Sequence, residues 1–301
     1  MKKLIVITGP TGTGKTALGV EVAKRINGEI ISTDSMQIYR HMDVGTAKVT
    51  SEEKQGVPHY MIDVVEPTAR YTVADYQAEV LPIIEDEFAK GKTPILVGGT
   101  GMYINAVLYE MTFSTYDENI RENVLKMTET MTNQELWDEL YSLDKIRAGQ
   151  LEVNDVHRVA RAIEVALNGK SNSSQEELNK PRYNADIYVL SGERSEIYDR
   201  INKRVDIMLA NGLLDEVKSL VDLGCTAETQ SFGAIAYKEF YAYLTGEYDY
   251  GRAVELIKQR SRNYAKRQLT WCRKYYPEAI WLNYLEKEKN LETIIKNYGL
   301  R

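Results

Sequence analysis

Short, unbroken apolar runs alternate along this chain with stretches of helical spacing. Leu4-Ile5-Val6-Ile7, Glu29-Ile30-Ile31-Ser32, Thr93-Pro94-Ile95-Leu96-Val97 and Ala185–Leu190 carry the β-branched, uninterrupted character of strands buried on both faces. Met61-Ile62-Asp63-Val64-Val65 is a further apolar run. Between them, Ala17–Arg25 continues as a helix, and Thr72–Lys90 repeats apolar residues at Val73, Tyr76, Val80, Ile83, Ile84 and Phe88. Pro82 inside that helix predicts a kink or an early break. From about Ser114 to Arg182 the β-type runs vanish and helical periods take over, as in Glu135–Leu140 and Val156–Leu167. This stretch ends in a polar segment, Gly169-Lys170-Ser171-Asn172-Ser173-Ser174. After Ala185–Leu190, helices are expected over Arg194–Leu209, Leu213–Leu223, Ala234–Leu244 and Arg252–Arg273, with no internal repeat. The pattern describes a parallel α/β core interrupted by a helical insertion.

The loops after the strands carry the chemistry. Gly9-Pro10-Thr11-Gly12-Thr13-Gly14-Lys15-Thr16 reads G-x-x-x-x-G-K-[ST] between a strand and a helix, the context a P-loop requires. Its glycines let successive N–H groups face one centre, and the helix N-terminus adds positive potential. Lys15 supplies a cation, and the Thr16 hydroxyl is placed to ligate Mg²⁺. The motif specifies a diphosphate or triphosphate and not its fate. Thr33-Asp34-Ser35-Met36-Gln37 follows the second strand, at the edge where open α/β sheets bind ligands. Asp34 there is either a functional carboxylate or the cap of the following turn. Gly98-Gly99-Thr100-Gly101 is likewise either a tight β–α turn or a point of close ligand approach.

Composition narrows the partners. With 301 residues, 43% hydrophobic and 27% charged, the chain is ordinary for a globular protein and long enough for one large domain with an insertion. No run approaches a membrane span, and the chain enters its first strand at once, so a cytoplasmic protein without a signal peptide is expected. Cys225 and Cys272 match no metal spacing and read as plain thiols. A net charge of −6 argues against nucleic acid until its distribution is considered. Lys258, Arg260, Arg262, Lys266, Arg267, Arg273 and Lys274 follow one another without an acidic residue, interleaved with Tyr264 and Trp271. Arg158, Arg161 and Glu164 recur at helical spacing, as a surface salt-bridge face or as a basic face for phosphate.

P-loop proteins mostly hydrolyse nucleotides or transfer phosphoryl groups. The Asn-Lys-x-Asp of a GTPase is missing, and the strand Ile95-Leu96-Val97 ends in Gly98-Gly99-Thr100 rather than in an acidic residue. A small-molecule kinase, with Asp34 as base and the arginines around Arg158 as lid, stays open.

Taken together, Gly9–Thr16, Ile31–Tyr39, Asp43-Val44-Gly45-Thr46-Ala47-Lys48, Leu96–Tyr103 and Ala265-Lys266-Arg267-Gln268-Leu269-Thr270-Trp271 resemble, in order and spacing from Leu4 to Trp271, the bacterial tRNA dimethylallyltransferases. The resemblance implies transfer of a dimethylallyl group from dimethylallyl diphosphate to N6 of the adenosine beside a tRNA anticodon, with diphosphate leaving. Gly9, Pro10, Thr11, Gly12, Thr13, Gly14, Lys15, Thr16 and Arg204 then match diphosphate-binding positions, with Mg²⁺ on Thr16. Asp34 matches the general base, and Lys15 and Thr100 stand with it at the reacting centre. Asp34, Ser35, Met36, Gln37, Thr100, Arg121, His157, Arg158, Val159, Ala160, Arg161, Lys266 and Arg267 match contacts to the tRNA anticodon stem-loop. The expected architecture is a P-loop NTPase-like parallel sheet flanked by helices, over 1–113 and 185–301, with a helical tRNA-binding insertion over 114–184. A monomer is expected. The runner-up is a prenyltransferase acting on free adenine nucleotide. Two positions depart from the family pattern: Gly233 and Ala236 stand where many relatives have Gln and Gly.

Overall fold

The structure, a computed structural model, describes residues 3–113, 117–169 and 180–299. The polar segment from Lys170 to Ser174 lies outside the described residues. The chain divides into two compact units, 1–108 with 182–301, and 109–181.

The larger unit is built on a six-stranded sheet in the order β3-β2-β4-β1-β5-β6. The strands are β1 (Lys3–Thr8), β2 (Gly28–Ser32), β3 (His59–Tyr60), β4 (Thr93–Val97), β5 (Asn184–Ser191) and β6 (Ile280–Asn283), and every pairing is parallel. Leu4, Ile5, Val6 and Ile7 are fully buried, as the apolar run requires of a strand covered on both faces. Ile5 pairs with Ile95 on one side and with Asp186 on the other. Because β2, β4 and β1 are neighbours, the three polar loops that follow them emerge side by side at one edge. Thr33 N–H donates to Val97 O at 2.9 Å and Thr100 N–H to Thr33 O at 3.0 Å, which ties two of those loops together.

Helices cover the sheet. They are α1 (Lys15–Ile26), α2 (Ser51–Lys54), α3 (Val73–Ala89) and α4 (Gly101–Leu108) before the insertion. After it come α9 (Arg194–Ala210), α10 (Leu213–Asp222), α11 (Tyr237–Leu244), α12 (Tyr250–Tyr275) and α13 (Lys287–Tyr298). Thr72 caps α3 reciprocally with Asp75, and the helix does not break at Pro82, whose ring lies on its exposed face. The apolar run Met61–Val65 does not form a strand: Met61 and Asp63 take φ of 60° and 56°, and only Val65 bridges, to Tyr39. Met61 is buried there by packing rather than by a ladder. β6 was invisible to periodicity because it is a short edge strand in which only Leu282 is buried.

The smaller unit contains α5 (Glu118–Thr130), α6 (Asn133–Leu143), α7 (Lys145–Ala148) and α8 (Val156–Leu167). Val124, Leu136, Leu140, Ala148, Val159, Ala162 and Ile163 form its core. Thr132 and Glu135 close a capping box on α6, and Trp137 Nε1 donates to Ala148 O and Leu151 O at 3.2 and 3.0 Å.

Candidate active site

The P-loop leaves β1 and wraps onto α1. Gly9 has φ 131°, and a Cβ there would collide with Leu190 O, so β5 permits only glycine at this point. Gly14, the residue before α1, offers no side-chain cap, which leaves the first N–H groups of the helix facing outward as an anion site. Thr13 is turned inward, its hydroxyl donating to Pro10 O at 2.8 Å, so it shapes the loop from behind. Lys15 Nζ folds back to Pro10 O at 2.9 Å. Burial first, and Arg204 second, push the Lys15 ammonium down to about 8, against the pull of Asp34 and Cys272. Thr16 is exposed and lines the same cavity as Lys15.

These groups border a cavity of about 550 Å³, within the roughly 300–1,000 Å³ typical of small-molecule sites. Its polar lining includes Lys15, Asp34, Glu53, Arg204, Arg267 and Gln268. Apolar side chains line it as well, Ile201, Val205 and Met208 of α9, Ile257 of α12 and Ile235. Gly98 and Gly99 also line the cavity, whereas Gly101 packs against Trp271.

Asp34 is half-buried. Its Oδ1 accepts Met36 N–H at 2.9 Å, a turn-capping bond, and its charge also acts on Lys15, Arg204 and Tyr264 across the cavity. The local cap and the outward-acting carboxylate are therefore one side chain. Thr100 Oγ1 accepts Ser35 N–H at 3.1 Å, which fixes the loop that carries Asp34. Arg204 reaches from α9, its guanidinium depressed by burial and supported by Asp34, with Nη2 donating to Thr46 O at 3.5 Å.

Several contributors went unnoticed in the sequence. Gln268 accepts Thr11 N–H at 3.0 Å and donates to Gly99 O at 3.1 Å, joining the P-loop to the loop after β4. Tyr264, its hydroxyl pushed up to about 12 by burial and then by Asp34, lines the same cavity. Arg200 Nε donates to Gly12 O at 2.8 Å. Gln268 had a signal in its place in the segment Ala265–Trp271, and Tyr264 in its place among the basic residues, but neither pointed to this cavity; Arg200 sits at an unremarkable helical position.

The basic run of α12 divides. Lys258 pairs with Asp206 at 2.5 Å, Arg260 with the buried Glu239, and Arg262 Nη1 donates to Asn202 at 2.7 Å. Lys266 and Arg267 are exposed, and Arg267 borders the cavity over the Tyr264 ring at 5.6 Å. In the smaller unit, His157, Arg158 and Arg161 are exposed on α8. Arg158 pairs with Asp155 at 3.3 Å, and Arg161 with Glu164 at 2.6 Å. Arg121 of α5 approaches the same Glu164 at 3.8 Å. Val159, between His157 and Arg161, is fully buried in the core of this unit. Ala160 also packs against that core.

Both cysteines are buried free thiols, and burial pushes Cys272 up to about 11. No group of three or more His, Cys, Asp or Glu that could hold a metal occurs among the described residues. No helix among them is long and apolar enough to cross a membrane.

Comparison with known proteins agrees with this geometry. The family model described as IPP transferase matches residues 37–275. A tRNA dimethylallyltransferase of Thermoanaerobacter sp. (strain X514) is 43% identical over 98% of this chain and 96% of its own length. That of Acetivibrio thermocellus is 45% identical over 99% and 96%. Among solved structures, a tRNA delta(2)-isopentenylpyrophosphate transferase from Staphylococcus epidermidis is 42% identical, covers 99% of both chains and superposes with a TM-score of 0.75. A eukaryotic dimethylallyltransferase acting on tRNA is 29% identical over 94% of this chain and 74% of its own, with a TM-score of 0.81. A match that spans most of the chain, together with relatives this similar over nearly its full length, means that the chain belongs to the IPP transferase family.

Proposed function

We propose that this protein is a cytoplasmic tRNA dimethylallyltransferase, moving the dimethylallyl group of dimethylallyl diphosphate to N6 of the adenosine 3′ to the anticodon. The observation that carries the reading is one cavity lined both by cations and by apolar side chains. An anion cradle with Lys15 and Arg204 shares it with an apolar lining of Ile201, Val205, Met208, Ile235 and Ile257, and Asp34 borders it too. A diphosphate with a short hydrocarbon tail combines the same two chemistries.

In the reaction the exocyclic amine attacks C1 of the donor. The C1–O bond breaks and its electron pair leaves with the diphosphate. The P-loop N–H groups, Lys15 and Arg204 are preorganised where that charge grows. Asp34 accepts the proton from the amine, a weak nucleophile that a nearby carboxylate assists. Thr100 holds the Asp34 loop through Ser35. Thr16, a hard hydroxyl oxygen lining the cavity with Lys15, would hold Mg²⁺. The ion would add positive charge to the leaving group.

The tRNA contacts are proposed at Asp34–Gln37 and Thr100, at Lys266 and Arg267, and in the insertion at Arg121, His157, Arg158 and Arg161. The target adenosine must leave its stack to react. Incubating the protein with dimethylallyl diphosphate and Mg²⁺, with tRNA or AMP as acceptor, tests the proposal by mass. One dimethylallyl group on tRNA and none on AMP is the expected result. Transfer to AMP alone, or ATP turnover without prenyl transfer, would overturn it.

A further inference from the structure

We infer that Glu216, which lies outside the cavity, is a positioning residue that sets the wall from which Arg204 works. Its carboxylate takes four donors. Oε2 accepts Asp43 N–H and Val44 N–H, both at 2.7 Å. Oε1 accepts Gly45 N–H at 3.0 Å and the Tyr237 hydroxyl at 2.7 Å. Three consecutive backbone N–H groups aimed at one centre form a nest for an anion, and here the anion is a side chain of the protein itself.

The fastening is specific to this loop. A Cβ on Gly45 would stand 2.5 Å from the Tyr237 hydroxyl, so glycine is what lets the loop reach Glu216 and Tyr237 together. The next residue, Thr46, turns its carbonyl to Gln37 Nε2 at 3.3 Å and Arg204 Nη2 at 3.5 Å. Gly45 and Thr46 line the cavity, as does Tyr237, whereas Glu216 does not. A carboxylate in the first turn of α10 also complements the helix dipole, but that role needs no partner. Four converging donors point to the loop. Lys48 staples the other end of the same loop, meeting Asp43 at 2.5 Å and Asp63 at 2.6 Å. Glu216 thus acts on the donor site through Thr46 and Arg204.

This inference rests on Arg204 being a diphosphate ligand, as proposed above. The test is a double-mutant cycle read by calorimetric binding, with dimethylallyl diphosphate and inorganic diphosphate as separate probes. Gln at position 216 keeps the shape but turns a donor toward N–H groups. Glu216→Gln is therefore expected to weaken diphosphate binding roughly 10-fold, the scale of a charged hydrogen bond. Arg204→Gln is expected to weaken it at least as much. The double variant should bind no more weakly than Arg204→Gln alone. Losses that multiply would show that the two residues act independently, and the inference would fall. Should Glu216→Gln not fold, Tyr237→Phe removes one donor, keeps the carboxylate and runs the same cycle on a smaller scale. Coupled losses for inorganic diphosphate, without tighter binding of the prenyl ester, would keep the positioning role and remove the donor reading.

Discussion

Cations are used in two opposite ways in this molecule. In the larger unit, Lys15 and Arg204 are drawn into a cavity, held by backbone carbonyls and depressed by burial. On α8 of the smaller unit, Arg158 and Arg161 stand exposed, each paired with a carboxylate three residues away. Low dielectric makes the first kind strong at short range and little affected by salt. Water and counterions make the second kind weak pairwise, and useful mainly for a polyanion that releases counterions on binding. The first arrangement suits a reacting charge and the second suits a backbone of phosphates.

The largest effect should come at Asp34, the carboxylate that borders the cavity with the buried cations. Asp34→Asn keeps an oxygen for Met36 N–H, so the turn should survive. Single-turnover transfer at saturating tRNA and donor is expected to fall roughly 10²–10⁴-fold, the span of general acid–base catalysis. Affinities should stay near those of the parent protein. A rate within a few-fold of the parent would reduce Asp34 to a cap.

Next in size is the pH dependence of the buried cation. Below about 8 Lys15 is already charged in the free protein, so its protonation should not make donor affinity vary with pH there. Above that pH free Lys15 is neutral, whereas a bound diphosphate favours the ammonium, so binding takes up a proton. Affinity should then fall by up to about tenfold per pH unit. Titration calorimetry in buffers of different ionisation enthalpy measures that uptake. Lys15→Ala should bind weakly and lose the inflection; an unchanged inflection would assign it to another group.

The exposed set should respond to salt instead. Arg158→Gln, Arg161→Gln and Lys266→Gln are each expected to reduce the slope of log K for tRNA against log salt by about 1, one phosphate fewer being neutralised. Donor affinity should barely move. Slopes equal to the parent's would leave the α8 arginines as surface ion pairs and no more.

The smallest effect concerns the cavity wall. Ala236 takes φ 83°, a conformation that disfavours any side chain, yet it is buried and its N–H donates to Glu239 Oε2 at 2.7 Å. Ala236→Gly should relieve about 1 kcal/mol of backbone strain, offset in part by a more flexible unfolded chain. A small rise in Tm at unchanged donor affinity is expected. At Gly233, the neighbouring departure from the family pattern, a Cβ would meet nothing within 4 Å, so a larger side chain has room there.

Much of this was determined by the sequence. The strands β1, β2, β4 and β5 were legible because continuous β-branched runs have few other uses. The P-loop was legible because tight turns and phosphate approach demand glycine at fixed spacing. Asp34 was located at the carboxyl edge by its place after β2. Local signals of this kind depend on neighbours along the chain. What joins Asp34 to Arg204 depends on neighbours across it, and only the tertiary structure decided that. Gln268 lies 257 residues from Thr11, and Glu216 lies 171 from Gly45. A glutamate in the first turn of a helix or a glutamine in its middle looks the same in sequence whether it faces solvent or fastens a loop. The basic run of α12 shows the same limit. Charge alone could not tell Arg260, committed to the buried Glu239, from Lys266 at the surface, because the difference is which side of the helix meets protein.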